Sequence, residues 1–317
     1  MQRTFPLALI LWAVSLHAAD LKYPPVTVEM PVEQVSAHAY YALGAAGMAT
    51  ENEGFVSNAG FVVTDAGVVV FDSLGSPSLA WKLRQQIRNI TDQPVVKVVV
   101  SHYHADHIYG LQVFKDEGAE IIAPRDAYQY LDSAVSKERL EERRFSLDPW
   151  VNDDTRLVGP DLVVEDVYHF SVGGIDFQLN YLGSAHSDGD VTMYVVQDRV
   201  LFSGDIIFEG RVPFVGDANT KHWLETLEAL ETNELVALVP GHGPAASKPL
   251  EAVAGTREYL AHLRDVMGGA VDQLQDFATA YDAADWSRFE ALPAFEAANR
   301  RNAYQVYLSL EAEALGQ

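Results

Sequence analysis

The stretch that decides the fold is Val98–Gly110, VVVSHYHADHIYG, in which a run of valines breaks into Ser101-His102-Tyr103-His104-Ala105-Asp106-His107. Three of the chain's ten histidines fall within six positions, beside an aspartate. The apolar run that precedes them, from Pro94 to Val100, has the composition of a strand buried on both faces. Side chains two apart in an extended segment point to the same side, so His102 and His104 can converge on one metal ion. Asp106 and His107 lie where the chain turns into a helix, predicted over Ala105–Lys115. Their side chains can diverge from the first pair and hold a second ion. Imidazole and carboxylate donors suit Zn²⁺, Fe or Mn, and a chain without cysteine offers no thiolate to narrow the choice.

Three more places repeat the pattern of a strand running into a tight loop that carries a ligand type. NYLGSAHSDGD (Asn180–Asp190) presents His186 among small residues, RVLFSGD (Arg199–Asp205) ends a strand at Asp205, and ALVPGHGP (Ala237–Pro244) ends one at His242 between glycines. Loops at the carboxyl ends of strands are where α/β folds place their sites.

The remaining chain alternates strand and helix signals. Asn58–Ser73 reads as a hairpin turning at Thr64–Gly67, and Ser76-Pro77 opens a helix to Ile90. A strand is predicted at Ala119–Ala123, a helix and then irregular chain over 124–160, and paired strands around Gly173-Gly174. A second hairpin turns at Gln197-Asp198, followed by a helix at Thr220–Thr232 capped by Asn219 or Thr220 and a strand at Leu235–Val239. From Lys248 onward apolar residues recur at three- and four-residue spacing, a helical period. These signals describe an α/β layered domain over residues 20–247 with a C-terminal helical extension over 248–317.

At the other end, MQRTFPLALILWAVSLHAAD reads as a secretory signal peptide over residues 1–19, cleaved near Ala18–Ala19. Its apolar run is too short to span a bilayer and no second candidate follows, so no integral membrane association is predicted, and the location expected is the bacterial periplasm. The net charge is −23, and cleavage would make it one unit more negative by removing Arg3. Such a surface repels phosphate backbones, which argues against nucleic acid and for a small-molecule substrate.

Motif, order and spacing from Gly54 to Pro244 resemble the metallo-β-lactamase fold superfamily, a four-layer αββα sandwich with a metal centre at one edge. The resemblance implies that His102, His104 and His186 hold a first metal, that Asp106, His107 and His242 hold a second, and that Asp205 bridges them. It also implies that Asp72, ending the strand GVVVFD, supports a ligand histidine from behind. A dinuclear, zinc-type centre of this kind acidifies water toward neutral pH and so makes a hydrolase. Asp106 would orient the water or accept its proton, and an ester, thioester, amide or lactam would be cleaved.

Asp205 and His107 are similar to the ligand set of glyoxalase II-type hydrolases, whereas the superfamily's lactamases typically carry cysteine or serine at the bridging position. AHSDGD and PGHGP also resemble a group of secreted zinc hydrolases found near sulfur-oxidation and quinoprotein systems. Alternative readings are a β-lactamase, a mononuclear iron enzyme that oxidises persulfides, and a non-catalytic metal-binding protein of the same fold. Arg211, in FEGRVPF, is either an anchor for a substrate carboxylate or a surface arginine closing a salt bridge. Trp150 and Phe145 either pack on the sandwich or cover the site. His38, His169, His222 and His262 are expected to be solvated or satisfied by neighbours. The oligomeric state is not legible.

Overall fold

A computed structural model describes residues 22–230, 232 and 234–316. The proposed leader therefore lies outside the described residues. Among the described residues, twelve strands form two sheets. The first contains β1 (Val32–Gln34), β2 (Ala39–Ala42), β3 (Ala59–Thr64), β4 (Gly67–Phe71), β5 (Val95–Val99), β6 (Glu120–Pro124) and β7 (Leu162–Val164), side by side in chain order. The second contains β8 (Val167–Val172), β9 (Ile175–Tyr181), β10 (Val191–Val195), β11 (Val200–Phe208) and β12 (Ala237–His242), in the spatial order β12-β11-β10-β9-β8. Strands β4 to β7 run parallel, as do β11 and β12, and the remaining neighbours pair antiparallel.

The helices are α1 (Pro77–Ile90), α2 (Ala105–Ile108), α3 (Leu111–Asp116), α4 (Ala127–Asp132), α5 (Ala134–Ser146), α6 (Thr220–Ala229), α7 (Pro249–Asp272), α8 (Phe277–Ala283) and α9 (Phe295–Ala314). Alternation along each strand sorts its side chains between layers. In β4, Val68 and Val70 face the helical layer built on Leu79, Leu83 and Phe114, while Val69 and Phe71 face the other sheet. In β11, Val200 and Phe202 meet that inter-sheet core, and Leu201 packs outward with Leu260 and Leu263 of α7. The result is the αββα sandwich anticipated from the sequence, with the C-terminal helices on its outer face. Burying each of these aliphatic and aromatic side chains stabilises the sandwich by about 1.5–3 kcal/mol.

Local chemistry sets the element ends. Ser76 caps α1 by accepting the Leu79 amide, with Pro77 opening the helix, and Asn219 caps α6 by accepting the amide of His222. Several boundaries differ from the sequence reading. The helix predicted over Ala105–Lys115 is two, α2 and α3, separated at Tyr109-Gly110. A Cβ on Gly110 would fall 1.9 Å from the Ser73 carbonyl oxygen, so the chain breaks where two loops touch. Asp205 does not end a strand, because β11 continues to Phe208 while its register against β12 slips around Gly204. The helix read to Thr232 stops at Ala229, and the strand read as Leu235–Val239 runs Ala237–His242.

Two aromatic expectations resolve differently. Trp150 packs on the N-terminal lead-in, donating its indole N–H to Pro25 O at 3.1 Å. Phe145 is 90% exposed and packs on nothing.

Candidate metal centre

The site forms along one edge of the sandwich, where β4, β5, β9, β11 and β12 present their carboxyl ends. His102 follows β5, His104 caps α2, and Asp106 and His107 lie in its first turns. His186 comes from the β9–β10 loop, Asp205 from the slipped segment of β11, and His242 is the last residue of β12.

Seven side chains converge into three groups that could hold a metal ion: His102, His104 and His186; His102, His107 and Asp205; and Asp106, His107 and His242. Within each group the ligand atoms lie within 4.8 Å of one another. Asp205 touches both halves. One carboxylate oxygen lies 3.3 Å from His107 Nε2, and the other is 3.3 Å from His186 Nε2 and 3.3 Å from His242 Nε2. His186 Nε2 lies 3.1 Å from His104 Nδ1, and Asp106 Oδ2 is 3.4 Å from His242 Nε2. The cluster brings together every ligand residue anticipated from the sequence.

The rings are aimed from behind. Asp72 is buried beneath the cluster at φ 64°, a left-handed conformation uncommon outside glycine. Its carboxylate accepts the Ser101 amide at 2.7 Å, the Ser101 hydroxyl at 2.8 Å and the His107 Nδ1–H at 2.8 Å. The Ser101 Oγ in turn accepts the His102 Nδ1–H at 2.8 Å. One carboxylate thus fixes the ring of His107 directly and that of His102 through a hydroxyl, leaving Nε2 of each facing inward. His242 is fixed by donating Nδ1–H to Val56 O at 2.7 Å.

Burial without partners is the observation that fits a cation. Nε2 of His102, Nε2 of His107 and Oδ1 of Asp205 are buried with no hydrogen-bond partner among the described residues. An unpaired buried polar atom costs about 1–3 kcal/mol, and positive charge inside the centre, from a bound cation or from protonated His107 and His242, offsets that cost. Electrostatics agree. Burial pushes His102 and His104 below the ordinary imidazole range and His186 down to about 3, keeping them neutral, the form that ligates. Burial also opposes charge on Asp106 and Asp205, but the surrounding His107 and His242 outweigh it and hold both carboxyls well below their usual range. Conversely, His107 and His242, although buried, are raised by the Asp205 and Asp106 carboxylates.

This arrangement of histidines and aspartates on a two-sheet edge has a match in sequence. The sequence model of the metallo-beta-lactamase superfamily covers residues 52–242. The chain belongs to that superfamily. Its relatives include the metallo-beta-lactamase type 2 of Elizabethkingia meningoseptica, 25% identical over 248 residues, which cover 74% of this chain and 86% of that protein. The linear primary-alkylsulfatase of Pseudomonas sp. (strain ATCC 19151) is 23% identical over 235 residues, 63% of this chain, and the match spans only 44% of that longer protein. Among solved structures, a stereoselective inverting sec-alkylsulfatase from Pseudomonas sp. superposes with a TM-score of 0.67 at 18% identity, over 88% of this chain and 50% of that one. Superfamily members such as that β-lactamase and alkylsulfatase are metallo-hydrolases that use divalent metals, which supports a hydrolase at the family level.

Three supporting residues were not read from the sequence. Asn58 staples the two sheets at the site, donating Nδ2–H to Pro240 O at 2.8 Å and Gly243 O at 2.7 Å while accepting the Gly44 amide. Asp190 shapes the His186 loop by accepting the amides of Ala185 and Ser187 and the Ser187 hydroxyl. Burial pushes the Asp190 carboxyl up to about 7. Ser101 is the relay already described. Of these, only Asp190 had a signal, an acid closing the AHSDGD loop.

The four histidines set aside divide. His169 is exposed on β8. His38 pairs with Asp198 at 2.7 Å, and His222 donates Nδ1–H to Ser184 O at 2.8 Å, in the loop that carries His186. His262 packs edge-on to Trp286, and its Nε2 has no partner among the described residues. No helix among the described residues is long and apolar enough to cross a membrane.

Proposed function

We propose that the protein is a periplasmic hydrolase that uses a dinuclear divalent metal centre, zinc in the first instance, to cleave an ester, thioester, amide or lactam in a small molecule. The observation that carries this reading is the Asp205 carboxylate, whose two oxygens reach the Nε2 atoms of His107 on one side and His186 and His242 on the other. His102, His104 and His186 would hold one ion, Asp106, His107 and His242 the other, and Asp205 would be shared. Two cations there would supply Lewis acidity and water acidified toward neutral pH.

The chain's own residues do the rest. Asp72 and Ser101 hold the imidazoles in the tautomer that turns Nε2 inward. Asp106 is the most accessible acid of the cluster, its side chain 28% exposed against 3% for Asp205. It is the group placed to orient the acidified water or accept its proton. A carboxylate at position 205, where lactamases of the superfamily carry cysteine or serine, favours a substrate other than a lactam. The relatives named for β-lactam and alkyl sulfate hydrolysis make those two bonds the first comparisons to run.

The experiment is a substrate panel on zinc-replete protein, with an acyl thioester, a carboxylic ester, a cephalosporin and a primary alkyl sulfate side by side. Hydrolysis that disappears with EDTA and returns with zinc is the expected result. One iron per chain in protein from its own source, with oxygen uptake on a persulfide, would replace this reading with the redox one.

A further inference from the structure

A neutral imidazole that turns Nε2 into the cluster carries its proton on Nδ1, and a buried N–H needs a destination. For three rings that destination is an oxygen: Ser101 Oγ for His102, Asp72 Oδ2 for His107 and Val56 O for His242. His186 is the exception. It is 1% exposed, and its Nε2 lies 3.1 Å from His104 Nδ1 and 3.3 Å from Asp205 Oδ2. Its Nδ1 is buried with no hydrogen-bond partner among the described residues. Arg211, half-buried on the connection from β11 to α6, shares that lack at Nε, but only His186 Nδ1 is the outward nitrogen of a ligand.

Four rings pack against His186. Two are the ligands His102 and His104, each at a centroid distance of 4.9 Å. The other two belong to the outer core: Phe208 at 5.8 Å, and Trp223 at 5.1 Å with its plane 74° from that of the imidazole. A near-perpendicular pair sets the edge of one ring against the face of the other. A ring N–H aimed at such a face makes a weak hydrogen bond, and indole is the most electron-rich face a side chain offers.

Trp223 is mounted to keep that contact. It is fully buried in the first turn of α6, and its indole N–H donates at 3.0 Å to the carbonyl of Ile206, the residue after Asp205. The ring is thus tied to the strand that carries the shared acid. The preceding residue ties the loop, because His222 donates Nδ1–H to Ser184 O, two residues before His186. Adjacent residues of one helical turn therefore hold the His186 loop and meet its ring. Phe208 completes the wall, stacked on His242 at 5.1 Å and 6.3 Å from Trp223.

We propose that Trp223 is a positioning residue of the metal centre, its indole face receiving His186 Nδ1–H where the other rings have an oxygen. Helix α6 thereby sets the third ligand of the first metal. That ligand is also less basic than its counterparts, since no oxygen draws on its proton. The proposal rests on the metal-centre reading of the same site.

NMR of the zinc-loaded protein, with nitrogen-15 in its histidines, tests this before any substitution. A ring N–H bonded to oxygen resonates downfield, and one held over an aromatic face lies upfield of it. The His186 Nδ1–H is expected upfield of those of His102, His107 and His242, with nuclear Overhauser contacts to the Trp223 ring. Trp223→Leu should abolish those contacts and weaken zinc binding about three- to tenfold, read by competition with a chromogenic chelator. Trp223→Phe restores a ring face and should recover part of both. Leu227→Ala, in the same core one turn further along α6, is the control for core damage and should leave the resonance and the affinity unchanged. Should Trp223→Leu not fold, the wild-type spectrum and Trp223→Phe carry the test. A His186 N–H that resonates with the other three, or lacks contacts to Trp223, overturns the proposal and leaves the metal centre intact. Equal losses of zinc affinity in Trp223→Leu and Leu227→Ala overturn it too, reducing Trp223 to core packing. Wild type that binds no zinc removes the metal-centre reading and this proposal with it.

Discussion

Replacing Asp72 by asparagine isolates the device that aims the cluster. The substitution keeps size and shape and suits the left-handed backbone at this position, because asparagine tolerates positive φ better than most residues. What it changes is the count of acceptors. The carboxylate receives three donors, from the Ser101 amide, the Ser101 hydroxyl and His107 Nδ1. An amide offers one oxygen and an NH₂ group. With its oxygen toward the hydroxyl and the imidazole, the NH₂ faces the Ser101 N–H; with the oxygen reversed, the NH₂ faces His107. Either way a buried donor is left unpaired at about 1–3 kcal/mol. In the second arrangement His107 gains by moving its proton to Nε2, which blocks the atom that faces Asp205. The expected outcome is a fall in zinc affinity of about ten- to a hundredfold, together with a loss of about 1–3 kcal/mol in the metal-free protein. Zinc affinity is read by competition with a chromogenic chelator, and stability by denaturant unfolding after metal removal. A zinc affinity within about twofold of wild type would refute the argument that outer hydrogen bonds set the ligand geometry here.

Two further predictions use other parts of the fold. Gly241 sits where an added Cβ would fall 1.9 Å from Asp205 Oδ1, so Gly241→Ala should cost about 1–3 kcal/mol by overpacking and displace that carboxylate; elemental analysis should show metal lost. Gly255→Ala in α7, where nothing lies within 4 Å, is the control and should leave metal content unchanged. At the far side of the sandwich, Asp198 accepts the His38 amide at 2.8 Å, the His38 Nδ1–H at 2.7 Å and the Ser36 hydroxyl, joining the β10–β11 turn to the β1–β2 turn. Burial opposes its charge, but these partners outweigh it and hold the carboxyl below the usual range. A carboxyl depressed by folding stabilises the protein above its unfolded value, near 3.9, and that contribution is lost as pH falls through the folded value. Asp198→Ala should therefore cost about 1–3 kcal/mol at neutral pH and progressively less as pH falls below about 3.9; a cost that does not change with pH would contradict the linkage.

The convergence of the seven side chains was more legible in the sequence than the element boundaries, for a physical reason. Ligand identity resides in residue type, and each of the seven candidates is a histidine or aspartate within or soon after an apolar run that reads as a strand. The αββα layering followed from the same runs, because two sheets and two helical layers are the arrangement that buries them. Close approaches between distant segments were not legible. Gly110 reads as a tolerable helix residue until Ser73 is seen against it, and the glycines around His242 read only as its neighbours, although a Cβ on Gly241 would fall 1.9 Å from Asp205 Oδ1. Ser101 and Asn58 were invisible for the same reason, since their partners lie 29 and 182 positions away. Arg211 could be noticed from its place after Asp205, yet the backbone that follows it is fastened by Asn302 of α9, which accepts the Val215 amide and donates to Pro213 O, 87 and 89 positions away.

The central claim is that Asp205 joins two metal sites into one centre. Metal stoichiometry of the purified protein, measured by elemental analysis for wild type and for Asp205→Asn, tests it directly. Two divalent ions per chain in wild type, falling to one or none in the variant with the sandwich still folded, is the predicted result. Two ions retained in Asp205→Asn, or a single iron in wild type, would contradict it.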